Sequence, residues 1–232
     1  MDVLNRSLPP RLCTAADITT THAAFGVYGA QAGEVITRVL GQTPPAGAAA
    51  VPWAGDSAAV AVSVARGAPG FDIVVPAPLA RRFGDEAGAG GARAGSAALL
   101  EVCRIEAGIP RLGAEIDEKT LPQEVRCEEL GAISYTKGCY LGQETIARLH
   151  FRGHANRRLA ALALTAPPPR LPLALTHESK SAGRLTSAAW SDAVDAWVGL
   201  GVVRREVADA TSVALEGGGE ATVRLESWLR AP

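Results

Sequence analysis

Residues 137–144 read Lys-Gly-Cys-Tyr-Leu-Gly-Gln-Glu, and their types and order could do chemistry. The Cys139 thiol stands two residues after Lys137, between Gly138 and Gly142, at the mouth of a stretch that reads as a helix over 144–149. A nearby ammonium and a helix N-terminus both favour a thiolate. Flanking glycines let a ligand approach the backbone closely. The same residues also make a plain glycine-rich helix start with cysteine as a space-filler, and the local sequence leaves both readings open. A Cys139–His150 dyad is disfavoured. Eleven residues of continuous helix would separate them by about 16 Å, whereas a general base must sit within hydrogen-bond reach. His22 or His154 comes near only through tertiary folding.

Three further groups have chemical potential. Arg104 and Glu106 end a predicted helix before Gly108, Pro110 and Gly113. Such a pair reads a planar, nitrogen-rich heterocycle or a carboxylate, or it simply holds the turn. Arg148, His150, Arg152, His154, Arg157 and Arg158 form a basic run. It suits phosphates or a polyglutamate tail, although such runs are commonly solvated faces, and the scarcity of aromatics beside it argues against stacking on single strands. Asp72 follows the Gly67-Ala-Pro-Gly70 turn and on its own reads as structural. Cys127 and Cys139 lack paired ligands, and Glu128 and Glu129 read as surface, so no metal is expected. No Walker loop, G-x-S-x-G elbow or dinucleotide fingerprint follows a strand.

The elements that must carry these groups fit a chain of 232 residues, long enough for one large domain or two small ones. Four cysteines without a C-x-x-C pair, and an N-terminus unlike a signal peptide, point to reduced thiols in a cytoplasm. A formal charge of −1 makes no global case for nucleic acid or a membrane surface, and no apolar run is long enough to span one. Residues 1–21 read as an irregular lead-in. A strand over 22–29 precedes the clearest helix, in which Ala32, Val35, Ile36, Val39 and Leu40 share one stripe and Gly41 caps the end. Strands over 48–53 and 57–65 flank Ala54-Gly55-Asp56, a hairpin signal. A strand over 71–75, a helix start over 78–83 and a glycine-rich loop over 84–95 follow. Ser96 N-caps a helix over 97–107, which places Leu99, Val102, Cys103 and Glu106 on one face. Pro167-Pro168-Pro169 marks a boundary, beyond which short strands suggest a small antiparallel barrel. The expected class is α+β, with an irregular segment 1–21, an α+β domain 22–165 and a barrel domain 166–232.

In combination, these segments resemble the YgfZ-type folate-binding proteins, relatives of the glycine-cleavage T-protein and of mitochondrial iron–sulfur maturation factors. The 137–144 signature carries the resemblance. So do the Arg104–Asp117 segment, the Phe25-Gly-Val-Tyr-Gly-Ala-Gln-Ala32 stretch, Gly70-Phe71-Asp72, and the C-terminal segments 182–187 and 200–207. The resemblance implies domains ringed around a funnel holding tetrahydrofolate. Arg104, Glu106 and Asp72 would lie near the folate, Tyr140 and Gln143 beside it, and Cys139 with Lys137 at the funnel as the functional pair. It also implies a role in assembly or repair of iron–sulfur clusters, including those of tRNA-modifying enzymes, with client or assembly proteins as partners and no direct nucleic-acid binding. The family's usual N-terminal part is nearly lacking here, which would leave the pocket open on one side. Aspartate at position 72, where T-protein-like members often use glutamate, weakens an aminomethyltransferase reading. That activity and a ligand-free interaction module stand as the alternatives.

Overall fold

The computed structural model describes residues 8–9, 13–63 and 68–225. Residues 1–7 and 10–12 of the expected lead-in and 64–65 of the expected 57–65 strand lie outside the described residues. The chain forms two compact units: the first holds the described residues up to Ala94, and the second begins at Gly95.

In the first unit, β1 (His22–Tyr28), β2 (Ala48–Trp53), β3 (Asp56–Ser63) and β4 (Gly70–Pro76) form an antiparallel sheet in the order β1-β4-β3-β2. β2 and β3 meet through Ala54 and Gly55, both at positive φ (54° and 82°), the backbone a two-residue hairpin turn requires. Helix α1 (Ala32–Leu40) buries the predicted stripe, and Gly41 closes it in the left-handed region at φ 69°. These residues pack with Trp53, Val60, Ile73, Val75 and Phe83 into one core. Helix α2 runs Ala80–Ala89, through the stretch expected to be a glycine-rich loop. Phe83 and Ala87, buried one turn apart, anchor it to the core, and Arg82 pairs with Glu86 at 2.7 Å across an i,i+4 step. That packing outweighs the cost of Gly84 and Gly88 in the helix.

The second unit opens with α3 (Ala97–Glu106), whose N-cap Ser96 accepts from the Leu99 N–H at 3.1 Å. The helix does not bury the predicted face. Leu99 is 54% exposed, and burial falls on the last turn, at Arg104, Ile105 and Glu106, where Ile105 packs with barrel residues and Arg104 and Glu106 bond Ser187 and Ser191. A 3₁₀ turn (Pro122–Val125) and α4 (Gln143–Arg152) precede the barrel strands β5 (Arg157–Leu164), β6 (Leu173–His177), β7 (Lys180–Ser191), β8 (Ala196–Arg204), β9 (Ser212–Leu215) and β10 (Glu220–Arg224). These close in the order β10-β5-β8-β7-β6-β9. β5, a barrel strand, precedes the Pro167-Pro168-Pro169 break, so the barrel begins upstream of the boundary expected at 166. β5 is buried on both faces. Ala160, Leu162 and Leu164 point into the barrel core, while Leu159 and Ala161 face a second core shared with Ile105 and Val125. The two-sided burial explains why this strand is apolar at nearly every position. Among the described residues, no helix is long and apolar enough to cross a membrane.

Candidate functional site

Arg104 is 2% exposed and Glu115 is fully buried. The Arg104 Nε–H donates to Glu101 Oε2 at 3.0 Å. One terminal nitrogen donates to the Ile109 carbonyl (2.7 Å) and Glu115 Oε2 (3.0 Å), the other to Glu101 Oε1 (2.6 Å) and Ser187 Oγ (2.6 Å). A guanidinium has five N–H donors, and all five are engaged. Glu115 also accepts from the Thr186 and Ser187 hydroxyls and the Arg111 backbone N–H. Burial works against the Arg104 charge, but the Glu101 hydrogen bonds and the attraction of Glu115 and Glu101 outweigh it and hold the guanidinium above its usual range. Arg104 therefore pins α3 and the following turn to β7 and has no N–H left for a ligand. Of the two sequence readings of this pair, the structure gives Arg104 the turn-holding one.

Glu106 is different. It is 6% exposed, and the Ser191 hydroxyl donates to its Oε1 at 2.5 Å. Its second oxygen has no partner among the described residues. It is a carboxylate held in place from one side with acceptor capacity to spare. On the same helix, burial, with a smaller contribution from Glu106, pushes the Cys103 thiol up. Burial does the same to Cys127.

Cys139 is exposed and unbonded. It lies ahead of α4, because Gly142 is the N-cap, in the left-handed region at φ 86°, and the helix starts one residue later. The helical path assumed between Cys139 and His150 therefore does not exist. His150 instead stacks on the Tyr135 ring at 3.8 Å and bonds Glu128 Oε1 at 2.9 Å. Around Cys139, the Lys137 ammonium sits 4.8 Å from the Tyr140 ring centroid, within cation–π range. The Tyr140 backbone N–H donates to Gln143 Oε1 at 3.4 Å, closing the loop at the helix mouth. The Tyr140 hydroxyl is buried without a hydrogen-bond partner, which in a native fold calls for a ligand or water.

Asp72 belongs to the first unit. The Tyr28 hydroxyl donates to its Oδ1. A Cβ on Gly26 or Gly70 would stand 2.3 Å from the Tyr28 ring, so both glycines clear the space in which that ring lies across the sheet. This explains why the Gly26, Tyr28, Gly70 and Asp72 types occur together. Among the described residues, no hydrogen bond or ion pair links the Cys139 loop to Glu106.

Sequence reasoning missed Glu115, Thr186, Ser187 and Ser191. Glu115 lies in the quoted Arg104–Asp117 segment, and an acid eleven residues after an arginine across a glycine turn is a weak pairing signal. The β7 hydroxyls face inward only once the strand register is known. Among the described residues, no group of three His, Cys, Asp or Glu side chains is placed to hold a metal ion.

A family model described as the glycine cleavage T-protein C-terminal barrel domain matches residues 157–227, a span that starts at β5. Among curated proteins, the chain is 50% identical over 68 residues to the tRNA-modifying protein YgfZ of Edwardsiella ictaluri, covering 29% of this chain and 20% of that one. It is 38% identical over 93 residues to the tRNA-modifying protein YgfZ of Cronobacter sakazakii, covering 40% and 28%. Over these stretches the chain is similar to YgfZ proteins. The matches thus span 20% and 28% of these YgfZ relatives' length. Among solved structures, the glycine cleavage system aminomethyltransferase T from Bartonella henselae superposes with a TM-score of 0.73 at 21% identity, covering 90% of this chain and 61% of that one. The chain therefore has the T-protein fold, an α+β arrangement ending in an antiparallel barrel.

Proposed function

We propose that this chain is a tetrahydrofolate-binding accessory protein that supports assembly or repair of iron–sulfur clusters, including those of tRNA-modifying enzymes, with Cys139 as its functional thiol. The exposed, unbonded Cys139 thiol beside Lys137 and Tyr140 carries the reading. Names of the curated relatives speak for the tRNA-modifying context, and the T-protein fold for a folate. The client enzyme and the cytoplasmic setting belong to this same proposal.

The residues present fit the cofactor class. A pterin presents an amino-pyrimidinone edge rich in N–H donors, which needs a fixed carboxylate acceptor, and Glu106 has one oxygen held by Ser191 and one to offer. Tyr140 supplies a buried hydroxyl without a partner. Arg104 takes no part in ligand contact under this reading; it holds the turn that follows Glu106. When bound, tetrahydrofolate would supply a carrier of one-carbon units. Around it, Glu106 would orient the heterocycle, Gln143 would hold the loop closed through the Tyr140 N–H, and Lys137 would set the charge beside Cys139.

The test is complementation. In a strain lacking its own YgfZ-type protein, the wild-type chain restores iron–sulfur enzyme activity and Cys139→Ala does not; full rescue by Cys139→Ala would sink the thiol's role. Formation of methylene-tetrahydrofolate from an aminomethyl donor by the purified chain would instead favour an aminomethyltransferase.

A further inference from the structure

The basic run singled out in the sequence divides in the fold. His150, His154, Arg157 and Arg158 come together around a cavity of about 320 Å³, joined by Arg205 and Gln123. Arg148 and Arg152 do not line it. We propose that this cavity is a phosphate-binding site. The reading is independent of folate, because it rests on other residues.

Four observations carry it. First, charge: three guanidiniums (Arg157, Arg158, Arg205) face one carboxylate, Glu128, a balance of 3 − 1 = +2 with both histidines neutral. Glu128 Oε1 already accepts from Tyr135 and bonds His150. Among the described residues, no carboxylate pairs with Arg157, Arg158, Arg205 or His154. Second, an unmet donor: one Arg158 terminal nitrogen donates to the Val207 carbonyl at 2.5 Å, but its Nε–H is buried with no partner, and a native fold rarely leaves a charged donor in that state. Third, an unmet acceptor: Gln123 Nε2 donates to the Ile146 carbonyl at 2.9 Å, which fixes the amide and leaves Oε1 buried and unpaired. That oxygen suits the hydroxyl of a hydrogen phosphate or of the sugar bearing it. Fourth, register: Arg157 stands directly opposite Arg204 on β8, a like-charge cross-strand pair in which Arg204 has Glu206 at 3.5 Å and Arg157 has no carboxylate partner among the described residues.

The donors come from the 3₁₀ turn, the end of α4, the start of β5 and the residue after β8. A carboxylate is planar and is satisfied by one guanidinium fork. Phosphate has oxygens in several directions and accepts from dispersed donors, which is what this cavity offers.

Such a phosphate could belong to a small phosphomonoester or to a nucleic-acid backbone, and the test separates them. Inorganic phosphate is titrated calorimetrically into the whole chain at an ionic strength fixed with chloride. Saturable one-to-one binding is expected. Arg157→Ala combined with Arg205→Ala, both exposed positions, is expected to weaken it at least about tenfold with thermal unfolding unchanged, the size of loss typical for removed charge-assisted bonds. Arg158→Lys keeps the charge but removes the fork and is expected to weaken it as well. Ribose 5-phosphate and a short RNA hairpin are then competed against phosphate. Displacement by the first assigns a small-molecule source and by the second a backbone source, and either supports the site. The absence of saturable phosphate binding, or phosphate affinity kept by the double variant, would overturn it.

Discussion

Arg104 and Arg158 both sit in the second unit, yet they are opposites. Arg104 has five N–H donors and five acceptors around them. Arg158 has a buried Nε–H with no acceptor and a cavity beside it. The difference separates a side chain that holds the fold from one prepared for something outside the chain. Glu115 and Glu106 repeat the contrast among carboxylates. Glu115 accepts on both oxygens from Arg104, Thr186, Ser187 and the Arg111 backbone. Glu106 is held by Ser191 on one oxygen only. A functional group in this fold is better recognised by unspent hydrogen-bonding capacity than by residue type.

The largest effect expected from breaking this comparison is at Glu115. Glu115→Ala leaves the buried Arg104 guanidinium with Glu101 as its remaining carboxylate and unpairs the Ser187 hydroxyl and the Arg111 N–H, at a cost of about 3–5 kcal/mol, and urea denaturation is expected to show the second unit unfolding far earlier. A near-neutral result would mean that the Arg104 network does not hold the fold. Ser191→Ala comes next. It removes one hydrogen bond to a buried carboxylate, an expected loss of roughly 1–3 kcal/mol, seen as a lower urea midpoint with an unchanged slope. Arg157→Ala, on the open side of the comparison, is expected to stay within about 0.5 kcal/mol of wild type, as exposed substitutions do.

A smaller test compares the thiols. Burial raises Cys103 and Cys127, so each stays protonated to higher pH and yields less thiolate at neutrality. Exposed Cys139 and Cys13 are expected to react first with iodoacetamide at pH 7, followed by mass spectrometry, with Cys103 and Cys127 catching up as pH rises. Equal rates at pH 7 would contradict the burial. The smallest effect concerns Asp117, whose carboxyl is held below the usual range by the Thr120 hydroxyl, the Lys119 backbone N–H and Arg184. A depressed folded value contributes stability above the unfolded value and loses it as pH falls through the folded one. Asp117→Asn is therefore expected to lower neutral stability slightly and leave stability below the folded value unchanged, so that the acid limb of urea midpoints measured against pH flattens.

Much of the fold could be read from pattern. The α1 stripe, the Ala54-Gly55 hairpin, the Ser96 cap and the barrel strands follow from periodicity and turn chemistry, which are local. Helix α2 could not, because Phe83 and Ala87 are drawn into a core built from distant strands. The β5 boundary failed for a related reason: a triple proline looks like an edge, but pairing with β8 and β10 decides membership of the barrel. At the site, the types were legible and their states were not. Arg104 and Glu106 look equivalent in sequence, and only the β7 register, which places Ser187 and Ser191, shows that one is closed and the other open. The Cys139 loop stands at a helix mouth as its sequence implies, but the helix begins only at Gln143, after the Gly142 N-cap, so no continuous helix joins Cys139 to His150.

In the proposed function, Glu106 and the Cys139–Tyr140 loop serve a folate. Calorimetric titration of tetrahydrofolate into the whole chain tests it most directly. Saturable binding is expected, weakened about tenfold or more by Glu106→Gln, since a carboxylate acceptor to N–H donors is lost, and unchanged by Arg157→Ala. No heat of binding at millimolar tetrahydrofolate, or equal affinity in Glu106→Gln, would contradict it.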